Sequence, residues 1–195
     1  MKRTPYGLGI AYIGVCALAI GTRTIGVQSG FGPAERDPSP APAATTGATW
    51  FALVKPYCNS VEVETTLNSR PAPTGIDGVG YKAGCLALAG KIDRARETIT
   101  TLPEATRWQA AGLVFDLAHP VADAGDDTAA GPIMGMVVEF SPDNYMALYH
   151  AGASEYALGQ PALAHRHLAR FLELYKQPDG WRSNAESMLA RLGNR

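Results

Sequence analysis

Four histidines, three cysteines and one short acidic stretch are the places where this chain could do chemistry. His119 is followed by Pro120 and then by Asp123, Asp126 and Asp127. Carboxylates at that density suit a hard cation such as calcium. A calcium loop, however, spaces its oxygen ligands regularly and ends on a bidentate glutamate, and this stretch does neither. It reads as a solvated loop in which Asp126 or Asp127 caps the next helix, and no metal or cofactor is expected. His165 and His167 stand two apart, so on a helix they point roughly 200° apart and do not chelate one ion together. His150 falls in mid-helix and reads as a packing or surface histidine.

Signs of catalysis are missing. No glycine-rich phosphate loop follows a strand, no GxSxG occurs, and the serines, histidines and acids are scattered without a nucleophile signature. Glu62 and Glu64 face differently and make no acid–base pair. No CxxCH exists for covalent haem attachment. The expected class is a binding protein, not an enzyme. With 17 basic and 18 acidic residues, a net charge of −1 and no polybasic block, nucleic acid is not an expected partner.

Cys16 lies in an apolar run, whereas Cys58 and Cys85 flank a turn centred on Pro71-Ala72. Cys58 stands as far before Pro71 as Cys85 stands after Ala72. In an antiparallel helix pair, residues equidistant from the turn share a level. A Cys58–Cys85 disulfide is therefore predicted, in an oxidising compartment. Two buried free thiols are the other reading.

The elements that would position these residues are helical. Residues 144–177 form two amphipathic segments around Gly159-Gln160-Pro161. Leu148, Ala151, Gly152, Glu155 and Leu158 recur at steps of three and four, as do Leu163, Ala164, His167, Leu168, Phe171, Leu172 and Tyr175. Gly159 suits a helix C′ position and Pro161 the first turn of the next helix.

This hairpin of about 34 residues resembles the tetratricopeptide repeat. Gly152, Gly159, Ala164 and Leu168 stand at that family's small, turn, Ala and bulky apolar positions. Upstream, Gly90, Ala95 and Ile99 repeat the last three. Gly90 and Gly159 stand two repeat lengths apart, as do Ala95 and Ala164, which leaves room for one repeat between them. Trp108, Gly112 and Phe115 supply its aromatic, Gly and aromatic positions, with His119-Pro120 in place of a glycine turn. Phe171 departs from the small residue usual at its position. The resemblance covers roughly residues 75–178. It implies a stack of hairpins whose first helices line a concave peptide-binding face. Gln109, Leu113 and Asp116, with Tyr149 and Tyr156, are the candidate binding residues there.

Around the repeats the chain divides into residues 1–27, 28–49 and 50–195. Tyr6 to Thr22 carries no charge; as a helix it would span about 25 Å, close to a bilayer's hydrocarbon core. A cleaved signal peptide, with Ala17-Leu18-Ala19 as its cleavage site, and a retained transmembrane anchor are both open. The anchor is favoured by Gly7, Gly14 and Gly21 at seven-residue steps. With Ala11 and Ala17 they form a small-residue seam suited to packing on another membrane helix. Lys2 and Arg3 outweigh Arg23 and hold the amino end in the cytoplasm. The expected location is the inner membrane, single-pass, with a periplasmic domain. Residues 28–49, rich in Pro, Ala, Ser, Thr and Gly, read as an extended linker.

The expected fold is all-α: membrane helix, linker, and a repeat domain capped by a helix from Trp181 to Leu192. Segments 78–89, 92–102, 104–118 and 127–140 make the preceding helices. Val61, Val63 and Leu67 are the apolar positions of an earlier helical stretch that breaks near Pro56. The expected function is a scaffold or accessory subunit of a larger membrane complex. Respiratory, photosynthetic reaction-centre and secretion or envelope assemblies are all open. Partners are other protein subunits and membrane lipid. A free-standing envelope adaptor that binds peptides in the groove is the alternative.

Overall fold

The computed structural model describes residues 46–194. The expected anchor, with Gly7, Ala11, Gly14, Ala17 and Gly21, lies outside the described residues, as does nearly all of the linker. Among the described residues there are nine α-helices and no strand, and no helix is long and apolar enough to cross a membrane.

Helix α1 (Gly47–Val54) starts slightly before the expected domain edge, because Thr46 caps it by accepting from the Thr49 amide. A 3-10 turn at Lys55–Tyr57 and the short α2 (Val63–Ser69) follow. Val63 and Leu67 are buried, but Val61 is 83 % exposed. It precedes α2 and sits in a turn held by Asn59, whose side chain accepts from the Val61 and Glu62 amides.

Three hairpins come next. They are α3 (Ile76–Leu88) with α4 (Ile92–Thr100), α5 (Glu104–Asp123) with α6 (Asp127–Phe140), and α7 (Tyr145–Ala157) with α8 (Pro161–Leu174). Their inter-helix turns are alike down to the backbone. Gly90, Gly125 and Gly159 all have positive φ, 73°, 78° and 72°. After each glycine the next amide reaches back to a carbonyl in the last turn of the first helix: Lys91 to Leu86, Asp126 to Val121 and Gln160 to Glu155. The glycine amides themselves donate to Ala87, Ala122 and Tyr156. This double closure requires a left-handed residue, which glycine supplies without a Cβ penalty.

Counting from these glycines puts the core in one register. Ala83, Ala118 and Gly152 share one offset before them, Ala95, Ala130 and Ala164 share one after, and Ile99, Met134 and Leu168 share another further on. All nine are buried. The turn glycines themselves recur at nearly equal intervals along the chain.

Two expectations for the middle hairpin are corrected here. His119-Pro120 is not its turn: α5 runs through Pro120 to Asp123 and turns at Gly125. Proline forfeits one intrahelical bond, but the buried Ala118 and the glycine closure hold the helix together past it. Nor is Gly112 the small seam residue. A Cβ there would meet nothing within 4 Å, and Ala118 takes that place. Most of the stretch expected as a solvated loop, up to Asp123, belongs to a longer helix: α5 has 20 residues, whereas α3 and α7 have 13 each. By contrast α6 has the expected bounds and runs unbroken through Pro132.

Close approach is built from small residues. Gly80 and Gly84 on α3 receive Leu113 and Leu117 of α5; a Cβ on either glycine would lie 2.6 or 2.4 Å from a leucine methyl. Helix α5 thus lies along α3, whereas α7 packs chiefly on α6 and α8. Helix α9 (Gly180–Gly193) closes the stack against α8 and α7. Asp179 caps it, accepting from the Trp181 and Arg182 amides. An end repeat needs such a cover for its apolar face.

Cys58 and Cys85 form a disulfide, with Cα atoms 4.9 Å apart. The partners are those expected, but the frame is different. Cys58 follows the 3-10 turn at the end of α1, and it is α1, not a long helix after Cys58, that packs along α3.

Candidate functional site

The five candidate binding residues divide into two kinds. Gln109 and Asp116 are exposed on α5. Their heptad spacing puts them on one face, two turns apart. Tyr156 is half-buried on α7. Leu113 and Tyr149 are packing residues. Leu113 fills the space over Gly80. Tyr149 is 7 % exposed and meets Phe171 and Trp181 edge to face, with ring centroids 5.2 and 4.8 Å apart. Docking of α9 covers a face of α7 that helical periodicity alone leaves open. One edge of the Tyr149 ring still lines a shallow cleft of about 310 Å³ with Ala153, Asn184 and Met188. A residue not singled out for binding adds to the α5 surface: Trp108 is 55 % exposed, its indole N–H donating to the Ala105 carbonyl.

The titratable groups are arranged more tightly than the sequence suggests. His119 and Asp123 stand one turn apart on α5, and His150 of α7 faces them. The Nε2 atoms of both histidines lie 3.5 Å from the same oxygen, Asp123 Oδ1. Both Nε2 atoms are buried and neither has a hydrogen-bond partner. The His119 and His150 rings meet at 5.0 Å. Phe115 stacks on His119 at 4.7 Å, and Trp181 meets His150 edge-on at 5.7 Å. Burial, aided by the neighbouring His119, lowers the His150 pKa to about 4 against the weaker opposing pull of Asp123 and Asp127. Its imidazole is therefore neutral at neutral pH, with one ring nitrogen carrying a free lone pair.

The other acids and histidines have ordinary structural roles. Asp126 caps α6 through the Ala129 amide. Asp127 accepts from the Ser154 hydroxyl at 2.9 Å. His167 pairs with the buried Glu155 at 2.8 Å, and His165 is exposed. Sequence reasoning treats His119 and His150 separately. The i, i+4 spacing of His119 and Asp123 is the signal that could have joined the first pair, and a turn at His119-Pro120 conceals it.

Comparison of the chain with known protein families, with curated proteins and with solved structures finds no match.

Proposed function

We infer that this chain is a non-catalytic binding protein: a tetratricopeptide-like repeat domain, tethered to the inner membrane, that serves as an accessory subunit of a larger membrane protein complex. The observation that carries this reading is the single register shared by three stacked hairpins and closed by α9. Stacks of this kind present helix faces for recognition. The exposed strip of Trp108, Gln109 and Asp116 on α5 is the surface the reading assigns to a partner. An exposed tryptophan beside polar groups is a suitable anchor.

The tether and the compartment rest on other features. The uncharged run from Tyr6 to Thr22 supports an anchor, and its Gly7-Ala11-Gly14-Ala17-Gly21 seam supports lateral packing on a neighbouring membrane helix. The Cys58–Cys85 disulfide favours an oxidising compartment, which agrees with a periplasmic domain. Respiratory and photosynthetic reaction-centre assemblies are complexes that a small one-helix subunit would suit.

The test is a mild-detergent pull-down of the full chain from its native membranes, with mass spectrometry of what remains bound. A stoichiometric set of membrane proteins is expected, and Trp108→Ala with Asp116→Ala should thin it. Gly14→Leu should weaken the association independently. An empty or variable catch overturns the subunit reading in favour of a transient peptide adaptor.

A further inference from the structure

We propose that His119, Asp123 and His150 form a binding site for one divalent transition-metal ion of the class to which zinc belongs. The inference is independent of the proposed function.

Geometry is the first support. The three donor atoms lie within 4.8 Å of one another, and each histidine nitrogen is 3.5 Å from Asp123 Oδ1. A tetrahedral zinc ion with bonds of about 2.0–2.2 Å separates its ligands by about 3.4 Å. Two of the three edges therefore already have the required length, and the third needs only a small closure of the two rings. The i, i+4 placement on α5 fixes His119 and Asp123 on one face, and α7 brings His150 from the next hairpin.

The second support is the unmet demand of the histidines. His150 is 5 % exposed, and its Nε2 and that of His119 point into the cluster with nothing bonded to them. Buried polar atoms without partners are rare in folded proteins, since they lose their water and gain nothing. A metal ion supplies that partner for both nitrogens at once. It also requires neutral imidazoles, and burial keeps His150 neutral.

The donors select the class of ion. Two imidazoles and one carboxylate suit zinc and its transition-metal neighbours, whereas calcium and magnesium take oxygen ligands. Asp123 is half exposed, so the ion has a way in, and Phe115 and Trp181 wall the histidines from the sides. Three protein ligands leave one position for water or for a group from a partner. Because the ligands come from α5 and α7, the ion would also tie the second hairpin to the third.

The experiment uses the full chain without an affinity tag, stripped with a chelator and kept in mild detergent. It is titrated with zinc chloride by calorimetry, and its thermal midpoint is read with and without zinc. One zinc per chain and a raised midpoint are expected. Asp123→Asn and His119→Gln should each weaken binding by about 10-fold or more, while His165→Gln, on an exposed histidine, should leave it unchanged. Asp123 is half exposed, so its variant keeps the fold, and it decides the matter if a His150 variant fails to fold. Absence of binding at micromolar zinc overturns the proposal. So does binding that survives both ligand variants, or binding of calcium as tight as that of zinc.

Discussion

Gly152 on α7 faces Leu168 on α8 with no room for a methyl group: a Cβ on the glycine would lie 2.7 Å from Leu168 Cγ and 3.1 Å from the Leu168 backbone nitrogen. Leu168 is fully buried, so neither atom has space to withdraw. Alanine is the better helix former by about 1 kcal/mol, but overpacking a filled core costs about 1–3 kcal/mol. Backbone atoms are among those hit, so steric conflict wins, and Gly152→Ala should lower stability by up to about 2 kcal/mol in urea unfolding. Adding Leu168→Ala relieves the clash, so the double variant should lose less than the sum of the two single losses. Additive losses would contradict the contact.

Gly112 gives the opposite sign. It lies inside α5, and a Cβ there would touch nothing within 4 Å. Only the backbone entropy and propensity terms remain, so Gly112→Ala should stabilise by about 0.5–1 kcal/mol. A loss of stability would restore Gly112 to the packing seam and undo the register that puts Ala118 there.

The Cys58–Cys85 bond closes an interval of 27 residues and staples α1 to α3. Loop-closure reasoning values such a bond at about 3–4 kcal/mol. Replacing both cysteines by alanine should therefore lower stability by about 3 kcal/mol. Trp50 is a local reporter, being 5 % exposed with its indole N–H on the Arg70 carbonyl. Its fluorescence should shift toward that of a solvated indole at lower urea than in the oxidised parent. An unchanged midpoint would mean that α1 holds to α3 without the bond.

These residues also mark what the sequence makes legible. The outer hairpins are readable because Gly90 and Gly159, Ala95 and Ala164, and Ile99 and Leu168 recur at fixed offsets, each demanded by a local closure or a tight contact. The middle hairpin is misread because the local penalty of Pro120 suggests a stop, while burial around Ala118 and the closure at Gly125 carry the helix on. That one error hides the turn glycine, the seam alanine and the His119–Asp123 pairing together. Tyr149 is ambiguous for another reason. Periodicity places it off the hairpin seam, and it is Phe171 of α8 together with Trp181 of α9, a contact more distant in sequence, that turns that flank into core. The His150 partnership is likewise set by how α7 meets α5, which no short-range pattern encodes.

The attachment of α9 should respond to acid through Asp179. The Tyr175 hydroxyl donates a hydrogen bond to the Asp179 carboxylate, which also accepts from the Trp181 and Arg182 amides at the start of α9. These bonds, that from Tyr175 first, hold Asp179 below the usual carboxylate range, and the same bond pushes the Tyr175 hydroxyl up to about 12. The sign follows from linkage. A carboxylate whose pKa is depressed on folding binds protons more readily in the unfolded chain. Its stabilisation is complete above the ordinary Asp pKa and fades as pH falls through the lower folded value. Trp181, the second residue of α9, is the reporter. Its fluorescence should be steady from neutral pH down to the ordinary carboxylate range and change below it. Tyr175→Phe removes the leading cause of the depression, so its transition should begin at higher pH than the parent's. Asp179→Asn keeps a capping oxygen without the charge, so in that background Tyr175→Phe should no longer move the acid transition. A Tyr175→Phe transition that coincides with the parent's would show that the amides alone set the Asp179 charge.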